Sequence, residues 1–188
     1  MSVKITFVIG GARSGKSSFA LNKAAEIEGP RAYIATGEAL DDEMKERIKQ
    51  HREDRGSDWD TYEEPLNVPD VLSNIDKKYN TIVIDCLTLW LSNVMIRTKN
   101  KEQRSKTTEK RILELIMTLN QYKESSVCSL KSGLCNLYIV SNEVGMGIVP
   151  ENPLAREFRD LAGFLNQRVA EAADEVYMVT VGIPIKIK

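Results

Sequence analysis

One segment, GGARSGKS at residues 10–17, constrains this chain more than any other. A run of β-branched and aromatic residues from Lys4 to Ile9 precedes it, and an amphipathic pattern from Lys16 to Ile27 follows it. A strand, a glycine-rich turn and a helix in this order, with Lys16 and Ser17 directly after the last glycine, form the pattern of a phosphate-binding P-loop. The alternative is a glycine turn that only joins a strand to a helix, and the complete pattern in its expected context favours the P-loop.

Each residue type in this segment has a use in binding phosphate. Glycines allow backbone angles that point successive N–H groups inward, and the start of the following helix adds the positive end of its dipole. The ammonium group of Lys16 is predicted to contact the β- and γ-phosphate oxygens and to be catalytic, and the hydroxyl of Ser17 is predicted to bind Mg²⁺. We therefore predict a nucleotide site that contains Gly10, Gly11, Ala12, Arg13, Ser14, Gly15, Lys16 and Ser17.

Strand-like and helix-like patterns alternate along the rest of the chain. After the first strand we predict strands at 31–35, 81–85, 137–140 and 175–181, and a further short strand at 185–188. We predict helices at 40–55 and 105–123 and a long helix that begins at Asn152-Pro153, whereas 56–69 has the composition of a surface turn. This alternation predicts an α/β P-loop nucleotide-binding fold, with a mostly parallel central sheet flanked by helices, in a single domain over residues 1–188.

Charge and hydropathy exclude two classes of partner. The formal net charge is −1, which argues against a general nucleic-acid binder, because such proteins carry a marked positive charge. No apolar run approaches the roughly 20 residues that span a bilayer. The apolar N-terminal stretch leads directly into the P-loop, which cleavage as a signal peptide would destroy. We therefore expect a cytoplasmic protein with no membrane span and no nucleic acid among its partners.

Asp85 lies at the end of the apolar strand predicted at 81–85. Ligands of parallel sheets bind at the carboxyl ends of the strands, and a carboxylate there fits the second Mg²⁺-directed group of a P-loop enzyme. The alternative is that Asp85 caps the following turn together with Thr88. We predict that Ser17 and Asp85 are the metal ligands.

His51 is the only histidine in the chain. It shares one face of the helix predicted at 40–55 with Leu40, Met44 and Ile48, and this spacing alone favours a packed imidazole without a chemical role. Arg52 and Arg55 beside it form either a solvated face or a phosphate clamp, and spacing does not distinguish the two.

Several strings together resemble the bifunctional adenosylcobinamide kinase/adenosylcobinamide-phosphate guanylyltransferase family of cobalamin biosynthesis. The resemblance runs nearly from end to end, and its most specific string is NEVGMGIVPEN at 142–152. The other strings are GGARSGKS at 10–17, YIAT at 33–36, LDDEM at 40–44 with Arg47, Ile48 and His51, FRDLAG at 158–163 with NQR at 166–168, AADEV at 172–176 and KIK at 186–188.

The resemblance implies two reactions. A nucleoside triphosphate, ATP or GTP, phosphorylates the aminopropanol hydroxyl of adenosylcobinamide, and GTP then donates GMP to that phosphate, which yields adenosylcobinamide-GDP and pyrophosphate. In the family the GMP passes through a covalent bond to a histidine, and His51 matches that position of the motif. The resemblance therefore reverses the interpretation of His51 from a packed side chain to a catalytic nucleophile. It also implies Mg²⁺ and a homotrimer.

The resemblance further implies which residues contact the nucleotide besides the P-loop. They are Ala35, Thr36, Gly37, Arg52, Glu53, Asp54, Arg55, Glu63 and Asp85. The chain departs from the family at Asp85, where the family often has the longer glutamate, and at 127–133, which is a local insertion that we expect to lie away from the chemistry.

Two other functional classes remain as alternatives. A different P-loop kinase for a small molecule would need the phosphate site, Mg²⁺ and an acceptor pocket, but no role for His51. A nucleotide-dependent switch would need loops ordered by the γ-phosphate, and no such elements are recognisable in the sequence.

Overall fold

The structure is a computed structural model that describes residues 2–75, 78–98, 100–124 and 134–188. At Ser2, Arg47, Asp54, Lys101 and Leu134 only the backbone is described. The insertion at 127–133 therefore lies outside the described residues.

Strands and helices alternate through most of the chain. The strands are β1 (Ser2–Gly10), β2 (Arg31–Ala35), β3 (Asp60–Glu63), β4 (Thr81–Asp85), β5 (Leu134–Asn142), β6 (Glu175–Thr180) and β7 (Ile183–Lys186). The helices are α1 (Lys16–Ala25), α2 (Asp42–Arg55), α3 (Val68–Asn74), α4 (Leu87–Arg97), α5 (Arg104–Glu124) and α6 (Pro153–Ala172), with a short 3-10 helix at Lys101–Gln103.

The strands form one seven-stranded sheet in the order β3-β2-β4-β5-β1-β6-β7. Neighbouring strands are parallel throughout, except that β7 runs antiparallel to β6 at one edge. The predicted α/β fold with a mostly parallel sheet and flanking helices is confirmed. All parallel strands end at the same edge of the sheet, which is where ligands bind in such folds.

Both faces of the sheet are buried, as the apolar sequence of β4 predicts. Ile82 and Ile84 point into the larger core, which lies against α3, α4, α5 and α6, and Val83 between them points into the smaller core against α1. Tyr33 of β2 also belongs to the smaller core. This alternation decides which side chains share a face with the P-loop helix.

Three elements differ from the sequence prediction. The segment 56–69 contains β3 and the start of α3 rather than only a surface turn, and α4 occupies a region for which no element is predicted. Three large side chains of α4, Leu87, Trp90 and Leu91, are fully buried. α4 is a short, mostly apolar segment, and the pattern of such a segment alone does not distinguish a buried helix from other buried structure.

Smaller differences concern the ends of elements. Leu40 lies before α2 and is 73% exposed, so the prediction that it shares the inward face of that helix is wrong. Asp41 caps α2 instead, with its side chain accepting a hydrogen bond from the Met44 backbone N–H at 2.8 Å. β5 begins at Leu134, three residues before the predicted start of that strand, and β7 begins at Ile183, two residues before its predicted start.

None of the helices in the described parts of the chain has the length and apolar character needed to cross a lipid bilayer.

Candidate nucleotide site

The loop between β1 and α1 requires glycine at two positions. A Cβ atom on Gly10 would lie 2.4 Å from the backbone oxygen of Val179 and 2.7 Å from Oγ of Ser14, too close for any side chain. Gly15 caps α1 in the left-handed region, with φ of 92°, which other residues rarely adopt. The glycine spacing that identifies the P-loop in the sequence is thus explained by the backbone itself.

The first turn of α1 has no side chain that would compete with a bound anion. The helix has neither a side-chain cap nor an acidic residue in its first turn. Lys16 is buried, with 6% of its surface exposed, and its Nζ donates to the backbone oxygen of Gly11 at 3.0 Å. The Oγ of Ser14 is buried and has no hydrogen-bond partner among the described residues. A buried donor without a partner costs about 1–3 kcal/mol, and a phosphate oxygen is a suitable acceptor for it.

A cavity of about 400 Å³ lies at the carboxyl ends of β2, β3 and β4 and is closed on one side by α2. We call it the nucleoside cavity. Its walls are formed by Lys16, Ser17, Tyr33, Ala35, Gly37, Glu38, Ala39, Met44, Ile48, His51, Arg52, Arg55, Glu63, Pro65, Asp85, Cys86, Leu89 and Asn142.

A second cavity, of about 560 Å³, lies on the other side of α2 against the P-loop. We call it the outer cavity. Its walls are formed by Arg13, Ser14, Gly15, Lys16, Ser17, Ser18, Glu43, Glu46, Gln50 and His51. The two cavities share Lys16, Ser17 and His51. The only histidine of the chain therefore lies between them, next to the lysine and serine predicted to hold phosphate and metal.

Different faces of helix α2 border the two cavities. Met44 and Ile48, four residues apart, face the nucleoside cavity, whereas Glu46 and Gln50, also four residues apart, face the outer cavity. His51 lies between the two rows and is half-buried. His51 therefore borders a cavity on each side of α2.

Asp85 is held by Tyr33 rather than by a turn. Its Oδ2 accepts a hydrogen bond from the Tyr33 hydroxyl at 2.9 Å. The hydroxyl of Thr88 instead contacts Oγ of Ser141 at 3.1 Å and accepts from the Asn142 backbone N–H at 2.6 Å, so it does not join Asp85 in a cap. Burial, and then the negative charge of Asp85, raise the pKa of Tyr33 well above its ordinary value. Tyr33 therefore keeps its proton and acts as the donor.

Arg52 and Arg55 have different surroundings. Arg52 forms an ion pair with Glu63 across the mouth of the nucleoside cavity, and both side chains are more than half exposed. A surface pair of this kind contributes about 0–1 kcal/mol, so a nucleotide phosphate can replace Glu63 as the partner of Arg52 at little cost. Arg55 stacks on Tyr33, with its guanidinium carbon 3.8 Å from the ring centroid.

Most of the predicted site residues line one or both cavities. The nucleoside cavity is lined by Ala35, Gly37, Arg52, Arg55, Glu63 and Asp85, and the outer cavity is lined by Arg13, Ser14 and Gly15. Both cavities are lined by Lys16, Ser17 and His51. Gly10, Gly11, Ala12, Thr36 and Glu53 line neither, and the side chain of Asp54 lies outside the described part of the structure. Thr36 is fully buried, and its hydroxyl donates to the backbone oxygen of Cys86 at 2.7 Å and accepts from the Cys86 N–H at 2.9 Å.

Sequence reasoning misses several residues of the nucleoside cavity. Tyr33 lies two residues before Ala35 on β2, and the two-residue period of a strand could have placed them on one face. Leu89 is missed because α4 is missed, and Asn142 because only the register of β5 with β1 brings it beside Gly10. Cys86 is no candidate nucleophile, since burial and the nearby Asp85 raise its pKa to about 11.

Few groups of the site are available to bind a cation, and the predicted ligands would bind it through oxygen. Among the described residues, no three His, Cys, Asp or Glu side chains come together as a metal-binding group. A serine hydroxyl and a carboxylate on the wall of one cavity fit Mg²⁺, which prefers oxygen ligands and commonly takes one or two from the protein and the rest from phosphates and water.

Comparison with known proteins gives consistent matches over nearly the whole chain. The family described as cobinamide kinase / cobinamide phosphate guanyltransferase matches residues 6–187. The bifunctional adenosylcobalamin biosynthesis protein CobU of Salmonella typhimurium is 38% identical over 186 residues, covering 96% of this chain and 98% of its own length. CobU of Escherichia coli is 35% identical, with 96% and 98% covered, and CobP of Pseudomonas aeruginosa is 36% identical, with 96% and 95% covered.

Proposed function

The chain belongs to the cobinamide kinase / cobinamide phosphate guanyltransferase family, and from this premise we propose that its single P-loop serves two successive reactions. In the first, the γ-phosphoryl group of ATP or GTP is transferred to the aminopropanol hydroxyl of adenosylcobinamide. In the second, GMP from GTP is transferred to the new phosphate. The observation that carries the proposal is that Lys16, Ser17 and His51 border both cavities.

The kinase step depends on positioning and charge. The acceptor oxygen attacks the γ-phosphorus, the bond between the γ-phosphorus and the β–γ bridging oxygen breaks, and the hydroxyl proton is released. Lys16 and the N–H groups at the start of α1 neutralise charge that moves to the bridging oxygen. No protein nucleophile is required, so this step does not depend on a bond to His51.

The guanylyl transfer passes through His51 in this proposal. An imidazole in its neutral form has a ring nitrogen whose lone pair can act as a nucleophile. A ring nitrogen attacks the α-phosphorus of GTP, an N–P bond forms, the α–β bridging bond breaks, and pyrophosphate leaves with that electron pair. A phosphate oxygen of adenosylcobinamide phosphate then attacks the same phosphorus, the N–P bond breaks, and neutral histidine is restored. Two displacements of this kind replace one difficult transfer.

Ser17 and Asp85 are the proposed ligands of Mg²⁺. Bound Mg²⁺ would neutralise phosphate oxygens and orient the triphosphate. Asp85 offers a second carboxylate oxygen, because within the described residues Tyr33 is the one hydrogen-bond partner seen for its side chain, through Oδ2. Arg52 and Arg55 supply further positive charge from the opposite wall of the nucleoside cavity.

Labelled GTP tests the covalent mechanism directly. The protein is incubated with α-labelled GTP, denatured and separated by gel electrophoresis, with γ-labelled GTP as the control. We expect acid-labile label from the α-phosphate only, and its transfer to product when adenosylcobinamide phosphate is added. Neither a P-loop kinase for another small molecule nor a nucleotide-dependent switch would leave this label on the protein.

Removing the carboxylate charge of Asp85 is expected to lower turnover more than nucleotide affinity. Asp85→Asn keeps the side-chain shape but weakens the proposed metal site, so kcat of both reactions should fall about 10- to 100-fold. EDTA should stop both reactions of the unaltered protein. Steady-state kinetics give kcat, and calorimetry gives the nucleotide Kd.

The matched control for this change is Asp60→Asn. Asp60 also accepts a hydrogen bond from a tyrosine, Tyr79, at 2.7 Å, but it does not line the nucleoside cavity. Unchanged turnover in Asp85→Asn, or an equal loss in Asp60→Asn, would remove Asp85 from the proposed site.

A further inference from the structure

Tyr33 connects two oppositely charged groups of the nucleoside cavity. Its hydroxyl donates to Oδ2 of Asp85 at 2.9 Å. The guanidinium carbon of Arg55 lies over its ring, 3.8 Å from the centroid. The side chain itself is 3% exposed. The ring also packs edge-on against Trp59, with 6.2 Å between centroids and an interplanar angle of 86°.

The sheet explains why these groups meet. Ala35 pairs with Asp85 across β2 and β4, so both side chains lie on one face of the sheet. Tyr33 precedes Ala35 by two residues and therefore lies on the same face. Its ring extends along the strand toward the carboxyl edge, where its hydroxyl reaches Asp85. The fold fixes this contact without any flexible loop.

The direction of the hydrogen bond is also fixed. A phenol hydroxyl donates and a carboxylate oxygen accepts, so Tyr33 is the donor and Oδ2 of Asp85 is the acceptor of the hydrogen bond at 2.9 Å. The hydrogen bond from Tyr33 holds Oδ2 of Asp85, and this contact restricts the orientation of Oδ1, the other oxygen of the carboxylate.

We propose that Tyr33 is a positioning residue that fixes the separation of the metal-side carboxylate of Asp85 and the phosphate-side cation of Arg55. It acts through its two neighbours and does not touch the reacting atoms. This inference rests on the proposed function, because it assigns Asp85 to Mg²⁺ and Arg55 to the nucleotide. Ligand-orienting hydrogen bonds of this type commonly change metal affinity or activity 10- to 100-fold when removed.

Two substitutions separate the two contacts. Tyr33→Phe keeps the ring under Arg55 and removes only the hydroxyl. We expect kcat of both reactions to fall about tenfold or more, with the Kd of the Mg²⁺-free nucleotide within about twofold of the unaltered protein. Tyr33→Leu also removes the aromatic platform, and this Kd should rise roughly 3- to 30-fold, as expected for loss of a cation–π contact.

A binding measurement provides a readout independent of turnover. Calorimetric titration with the α,β-methylene analogue of GTP, with and without Mg²⁺, measures how much the cation strengthens nucleotide binding. We expect Tyr33→Phe to reduce this strengthening about tenfold and to leave binding without Mg²⁺ nearly unchanged. The matched control is Tyr79→Phe, which removes a similar hydroxyl bonded to Asp60 outside the cavity and should retain the full Mg²⁺ effect.

The outcomes distinguish this inference from the proposed function. Failure of the unaltered protein to form labelled protein or product would overturn the proposed function. If the unaltered protein is active and Asp85→Asn is slow, but Tyr33→Phe matches Tyr79→Phe in turnover and in the Mg²⁺ effect, Tyr33 does not position Asp85. If Tyr33→Phe weakens nucleotide binding equally with and without Mg²⁺, the hydroxyl only supports the fold, and the inference is also overturned.

Discussion

Lys16→Ala is expected to lose both activities. Lys16 borders the nucleoside cavity and the outer cavity, and its buried ammonium lies at the start of α1, where both reactions need triphosphate oxygens. Removal of one preorganised charge from such a site typically lowers kcat about 100- to 1000-fold. We therefore expect at least this loss in phosphorylation of adenosylcobinamide and in guanylyl transfer, each measured in a separate assay.

Lys23→Ala is the matched control for Lys16→Ala. Lys23 belongs to the same helix but is exposed and pairs with Glu26 at 3.0 Å, so its loss should leave both activities unchanged. Thermal unfolding of both variants tests whether the loss of activity follows from loss of the fold. If folded Lys16→Ala retains normal guanylyl transfer, a second nucleotide site must exist, and the proposal of one shared P-loop fails.

Features that depend on local interactions were predictable from the sequence. The Asn152-Pro153 start of α6 is confirmed, since the Asn152 side chain accepts from the backbone N–H of Leu154 at 2.8 Å and of Ala155 at 3.3 Å. Gly15 of the P-loop belongs to the same class, because its φ of 92° is a requirement of the local backbone. Gly10 differs, because the close approach of the Val179 backbone oxygen depends on the pairing of β6 with β1.

Features that depend on strand order were not predictable. Four residues of β3 have a mostly exposed pattern at the sheet edge, so no alternation of apolar side chains reveals the strand. The contact of Tyr33 with Asp85 exists only because β2 pairs with β4 in a register that aligns Ala35 with Asp85. The sequence contains both residues, but their relation depends on long-range pairing.

The Ala35-Thr36-Gly37 string illustrates the limit of transferring a motif. Ala35 and Gly37 line the nucleoside cavity, whereas Thr36 points away and is fully buried against the backbone of Cys86. Side chains alternate along an extended chain, so three consecutive residues do not all face one ligand. The resemblance marks the string, and the backbone direction decides which members can contact the nucleotide through their side chains.

His51→Ala is expected to separate the two reactions. If His51 carries GMP, the variant should form no labelled intermediate, and guanylyl transfer should fall roughly 10⁴-fold or more, as expected when a covalent nucleophile is removed. Phosphorylation of adenosylcobinamide should largely persist, because that step relies on positioning and charge. The measurements are labelling with α-labelled GTP and separate assays of the two products.

Two further variants of α2 make the His51→Ala result interpretable. Lys49→Ala removes an exposed side chain that lines neither cavity and should keep both activities. His51→Asn keeps a polar side chain between the cavities and should still lose the label, because an amide is a poor nucleophile. Nucleotide Kd is measured on each preparation, since a folding defect would also abolish transfer. If folded His51→Ala transfers GMP at the normal rate, the covalent mechanism is wrong. If it binds GTP normally but loses both activities, His51 organises the shared site instead of carrying GMP.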